Sequence, residues 1–182
     1  MSNFKKYILS SIFPVTILIC MTILPLITYF KGYEILIQTE PYDPKDVFRG
    51  DYVVLNYKIN QVEIEKLPEE FINATEDNWY KFRGKKLYAV VKKDGQFYDV
   101  DYVTFEKPKG KLFLNCRYEY PIWDFESGKE NVTLKGAFLS YNLDRFFVRE
   151  NTGKTFEDMA RTSKLKARVK VFNGYSLLVD VF

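Results

Sequence analysis

The sequence predicts a mainly β protein: an N-terminal transmembrane helix followed by a β-barrel or β-sandwich-like domain with short helical insertions. Three features lead there. One is an uncharged apolar run near the N-terminus; another is a succession of short alternating segments separated by turn residues. The third is an aromatic content of 16 Phe and 14 Tyr against only nine Gly and seven Pro. Aromatic and β-branched side chains suit a pleated, half-buried surface, and 182 residues leave room for one span and one domain with a real core.

The apolar run comes first. Tyr7 to Phe30 is 24 residues without a charge, about 36 Å as a helix at ~1.5 Å per residue, enough for a hydrocarbon layer of about 30 Å. Pro14 and Pro25 would break a soluble helix but are tolerated within a membrane. The bulky end Leu26-Ile27-Thr28-Tyr29-Phe30-Lys31 lacks the small-residue site of a cleaved signal peptide, so an uncleaved anchor is favoured. Leu18-Ile19 before Cys20 likewise argues against lipoprotein processing. Lys5 and Lys6 precede the run and all 24 acidic residues follow it. The positive-inside bias therefore assigns residues 1–6 to the cytoplasm, 7–30 to the membrane and the domain, 33–182, to the opposite side.

Strands follow in order. Tyr33 to Thr39 is the first; Asp51 to Ile59 then alternates Val53, Leu55, Tyr57 and Ile59 on a core face. Leu87 to Lys92 and Gln96 to Phe105 flank Asp94-Gly95, and Leu165 to Phe172 meets Tyr175 to Phe182 across Asn173-Gly174, both hairpin signals. Lys111 to Tyr120 sets Leu112, Leu114, Cys116, Tyr118 and Tyr120 on one side, which makes Cys116 a core thiol. Val132 to Leu139 and Leu143 to Arg149 complete the strands, while Pro68 to Lys81 and Thr155 to Ser163 read as helical.

Composition removes several chemistries. With no histidine, the commonest general base and metal ligand are missing. Cys20 and Cys116 lie in different phases, so no disulfide is expected. Beyond the anchor, 25 basic residues face 24 acidic ones, a balance that gives no reason to expect nucleic acid as a partner. No cofactor or metal signature is found.

The densest punctuation runs from Glu40 through Pro41, Asp43, Pro44, Asp46, Arg49, Gly50 and Asp51 into Tyr52-Val53-Val54-Leu55-Asn56-Tyr57. Such a rigid turn aims a strand, with Gly50 supplying an angle other residues avoid and Asp51 bonding its own turn. Here the sequence resembles the GDYXXLXY family, through Gly50, Asp51, Tyr52, Leu55 and Tyr57. A second block, Tyr141-Asn142-Leu143-Asp144-Arg145-Phe146-Phe147-Val148-Arg149-Glu150-Asn151-Thr152-Gly153, is similar to another segment of that family, departing from it at Arg149, where proline is usual, and at Asn151, where glycine is usual. The resemblance covers roughly residues 33 to 182. It implies a membrane-anchored extracytoplasmic domain associated with a multi-pass membrane protein, and it brings no established activity.

Several sharper readings are weighed against plainer ones. A hydrolase with an atypical site and a signal-peptidase-like β-fold is the alternative function, but Tyr42 stands where a type I signal peptidase carries its serine nucleophile, and no serine lies between Ser11 and Ser127. Glu40, Asp43, Asp46 and Asp51 do not have the spacing of an EF-hand calcium loop and read better as turn caps and partners of Lys45 and Arg49. Arg49-Gly50-Asp51 as an adhesion tripeptide is a chance spelling leading into a strand. Lys164, Lys166, Arg168 and Lys170 place four cations on one strand face, suited either to anionic lipid or to guarding a sheet edge. Trp79, Tyr80, Phe82, Trp123 and Phe125 form either an aromatic surface or packing under loops. The expectation is a non-catalytic domain acting by protein contact, as accessory or interaction subunit of an integral membrane partner.

Overall fold

The apolar N-terminal run forms one helix, α1 (Asn3–Lys31), which passes through both prolines without interruption. From Ser10 to Lys31 it is long and apolar enough to cross a membrane, and almost none of that surface is covered by the rest of the chain. Its hydroxyls turn inward: Thr16 Oγ1 donates to the Ile12 carbonyl at 2.9 Å and Thr28 Oγ1 to that of Leu24 at 2.9 Å. These threonine hydroxyls are thereby satisfied by their own helix, as an apolar surround demands. The computed structural model describes residues 3–40, 52–72, 78–124, 133–147 and 165–182.

The domain is mainly β. Its described strands are β1 (Tyr33–Glu40), β2 (Tyr52–Val54), β3 (Asn56–Tyr57), β4 (Gln61–Glu63), β5 (Lys86–Asp94), β6 (Phe97–Thr104), β7 (Phe113–Asp124), β8 (Thr133–Ser140), β9 (Arg145–Phe147), β10 (Lys166–Phe172) and β11 (Tyr175–Val181). One antiparallel sheet has the order β11-β10-β1-β3, a second β4-β8-β7-β5-β6, and β2 and β9 form a separate ribbon. Their inner faces share one core. Ile35, Ile37, Val169 and Val171 from the first sheet join Leu87, Leu114, Cys116, Tyr118 and Leu139 from the second. Side chains alternating with period two account for this division on β1 and β10.

Turn chemistry explains both tight hairpins. Asn173 and Gly174 have φ of 52° and 84°, the paired positive angles of a type I′ turn, which Asn-Gly accommodates. The β5–β6 turn sits one residue later than the sequence suggests: Asp94 pairs with Phe97, so Gly95 and Gln96 are the central residues. Gly95 alone has positive φ, 59°, as a type II′ turn requires at its first position.

Other differences from expectation have local causes. The strand foreseen over Asp51 to Ile59 splits at Leu55 and ends in a 3-10 turn, Lys58–Asn60, yet Leu55, Tyr57 and Ile59 remain buried. Tyr120, expected in the core, is 47% exposed. The β7–β8 register shifts between Tyr118 and Tyr120, so a bulge reverses the alternation and Pro121 turns inward. In the stretch Pro68 to Lys81, read as one helix, the described parts are a single turn, α2 (Glu69–Ile72), and a 3-10 turn at Trp79–Phe82. The helix expected over Thr155 to Ser163 lies outside the described residues.

Candidate functional site

The two family-like sequence blocks meet in space. Backbone pairing sets Tyr52 opposite Phe147, Val53 opposite Phe146 and Val54 opposite Arg145, and the seam continues as the Leu55 amide donates to the Asp144 carbonyl at 2.9 Å. Further along the same strand direction, the Tyr57 hydroxyl donates to the Leu143 carbonyl at 2.7 Å. Strand periodicity brings Leu55 and Tyr57 to the same buried side, Leu55 as packing and Tyr57 as a bolt between segments 86 positions apart.

Asn60 and Tyr141 close the arrangement. Asn60 Oδ1 accepts from the Tyr57 amide at 2.7 Å while its Nδ2 donates to the Leu139 carbonyl at 2.7 Å. The Tyr141 hydroxyl donates back to the Ile59 carbonyl at 2.9 Å, and Ser176 Oγ reaches the Tyr141 carbonyl at 3.2 Å. Each of these side chains pairs with a main-chain group, the pattern that lets polar groups enter a core. Sequence reasoning missed Asn60; its one signal was a polar residue closing the run Leu55, Tyr57, Ile59.

Electrostatics agree with a structural role. Burial raises the ionisation of Tyr57 far above the ordinary phenol range, with the charge of Asp144 adding to it; burial does the same to Tyr141. Burial also pushes the Cys116 thiol up to about 12. None of these groups changes protonation near neutral pH. The acids Asp43, Asp46 and Asp51, with Arg49, Gly50 and Glu150, lie outside the described residues. Glu40 accepts from Gln61 Nε2 at 3.0 Å, and Arg145 lies 3.5 Å from Asp144. Among the described residues no group of three or more potential metal ligands occurs.

The basic face proves to be a set of internal contacts. β10 is an interior strand, flanked by β11 and β1, which removes the sheet-edge explanation for its charges. Val169 and Val171 point to the core, leaving Lys166, Arg168 and Lys170 on the opposite side. Lys166 Nζ donates to Gln96 Oε1 at 3.3 Å and lies over the Phe97 ring. Arg168 lies between Glu34 and Asp180, 3.5 and 3.9 Å away, with its guanidinium over Phe182. Lys170 Nζ donates to the Tyr29 carbonyl at 2.6 Å and sits over the Tyr29 ring. That carbonyl belongs to the last turn of α1, where acceptors lack helical partners and the dipole favours a cation. Lys164 lies outside the described residues.

The aromatic residues do not form one surface. Trp79 and Phe82 pack against the core, and Phe82 lies 4.8 Å from Phe71, ring centre to ring centre. Tyr80 is 60% exposed, Trp123 is half-buried on β7, and Phe125 lies outside the described residues.

No curated protein and no solved structure matches the chain. The family model described as GDYXXLXY protein matches residues 14–181, a range that takes in α1 from its first proline onward, the β2–β9 seam and the closing hairpin. With nearly its whole length covered and both sequence blocks joined in one seam, the chain belongs to the GDYXXLXY family.

Proposed function

We propose that the protein is a membrane-tethered, non-catalytic β-domain acting by protein contact, as accessory or interaction subunit of an integral, multi-pass membrane partner. In this reading residues 7–30 cross the cell membrane once, residues 1–6 stay in the cytoplasm, and the domain of residues 33–182 works on the other side. The observation that carries the reading is the outward apolar surface of α1. Phe13, Leu18 and Met21 are 71%, 64% and 69% exposed, while the domain encloses its own core without them. Such a surface calls for a hydrocarbon or protein surround.

The seam adds support for contact over catalysis. Its phenols donate to main-chain carbonyls and ionise only far above neutrality, which suits fastening one segment to another. Tethering raises the effective concentration of the domain near any partner in the same membrane. Affinity purification of the tagged chain from gently solubilised membranes, with an untagged strain as control, tests the proposal. A stoichiometric multi-pass protein is the expected companion; a chain that purifies alone from intact membranes overturns it.

A further inference from the structure

We propose that the loop at Lys107, Lys109 and Lys111 is a second contact with the bilayer, one that takes anionic phospholipid headgroups. The proposal rests on the reading of α1 as a membrane span. α1 ends at Lys31, and Tyr33 stands opposite Val171, so Phe172 and the Asn173-Gly174 turn continue past the start of β1 toward the helix end. α1 packs against both β10 and β11, which keeps that turn beside it. Tyr29, Phe30 and Tyr33 are all largely exposed there, the residue types that settle at headgroup depth.

The lysine loop lies against this same turn. Pro108, Gly110 and Lys111 share a shallow groove with Phe172, Asn173 and Gly174, and the Asn115 amide fastens the two segments by donating to the Gly174 carbonyl at 2.8 Å. Lys107, Lys109 and Lys111 are exposed. Lys111 Nζ donates to the Tyr102 hydroxyl at 3.2 Å, and Lys107 Nζ lies over the Phe113 ring; Glu106 is the adjacent exposed acid. Three cations within five residues, beside the turn that reaches the helix end, are placed to attract anionic headgroups, an attraction that acts within about a Debye length of the surface. The cations of β10 contrast with them, being tied to Gln96, Glu34, Asp180 and the Tyr29 carbonyl.

The test uses the full chain in nanodiscs of phosphatidylcholine alone or mixed with phosphatidylglycerol, following amide hydrogen exchange. Exchange in residues 105–112 is expected to slow at least about fivefold in the anionic discs, the worth of a single engaged lysine, and to stay unchanged where Glu40 pairs with Asn56, at the end of β1 away from α1. The double variant K107Q/K109Q, which alters only exposed side chains, is expected to lose the protection. Equal exchange in both discs, or protection that survives the double variant, overturns the proposal and leaves the anchor standing. A chain that fails to enter discs and is extracted by alkaline carbonate overturns both.

Discussion

Tyr57 and Leu143 are joined by a hydrogen bond of 2.7 Å from phenol to main-chain carbonyl, and both residues are buried, 1% and 2% exposed. The bond ties the last tyrosine of one family motif to the loop of the other. Replacing Tyr57 by Phe keeps the ring and removes the donor, stranding a carbonyl where water does not reach. The expected cost is about 1–3 kcal/mol, read as a lower midpoint of chemical unfolding for the full chain in detergent. An unchanged midpoint would show that the seam does not depend on this bond.

The same burial fixes the response to pH. Desolvation pushes Tyr118 and the Cys116 thiol up to about 12, and burial also raises Tyr57 and Tyr141 well above the ordinary phenol range. A group whose folded pKa is raised contributes stability that is whole below its unfolded value and is lost above it, because the unfolded chain releases its proton first. The thiol and phenols have unfolded values of 9.0 and 10.0. Stability is therefore expected to stay level from about pH 5 to 9, there being no histidine to titrate, and to fall as pH rises beyond about 9. On the acid side Asp101 is held below the usual carboxylate range by its bond to Lys92; this exposed pair contributes little. Phenolate absorbance during alkaline titration provides the check: some tyrosines should ionise only together with unfolding. Simple titration of all phenols near pH 10 would contradict the burial.

Gly136 offers a steric test. It pairs with Glu63 across β4 and β8, and a Cβ there would run into the Val62 carbonyl, a backbone atom that cannot swing aside. Gly136→Ala is expected to force the two strands apart and lower stability by about 1–3 kcal/mol. Gly110→Ala, at φ +69° with nothing near the added carbon, should cost only about 1 kcal/mol, from backbone strain alone. Thermal unfolding of the two variants side by side separates crowding from strain, and equal losses would refute the β4–β8 contact.

What was legible in the sequence was what local chemistry determines. Asn173-Gly174 dictates its own turn, and alternation alone places Cys116 and Tyr57 inside. Tyr120 was not legible, because the bulge that turns it outward arises where β7 accommodates β8, a relation between strands. Nor was the interior place of β10: four cations in alternation look like an edge until β1 is seen to pair along its other side. The motif residues were recognised, yet their purpose lay in partners such as Leu143 and Asp144, far along the chain and reached through main-chain atoms that carry no sequence signal.

Lys170 and Tyr29 show the same long reach, 141 positions apart, and bear on how the domain meets the helix. Gly32 donates to the Thr28 carbonyl at 2.8 Å, and a Cβ at Gly32 would overlap that oxygen while crowding Lys170 and Val171. The chain thus leaves α1 through a site only glycine fits, with the Lys170 ammonium covering the adjoining carbonyl. Replacing Lys170 by Met keeps most of the stem but removes the cation, at an expected cost of about 0.5–1 kcal/mol confined to the last helical turn. A global melt would barely register so local a loss. Limited trypsin digestion of the full chain in nanodiscs is the sharper measurement, since Lys31 lies at the helix end. K170M should speed cleavage after Lys31 severalfold while the domain released remains resistant. Unaltered cleavage would mean that Gly32 and the packing of α1 on β10 and β11 hold the junction without the lysine.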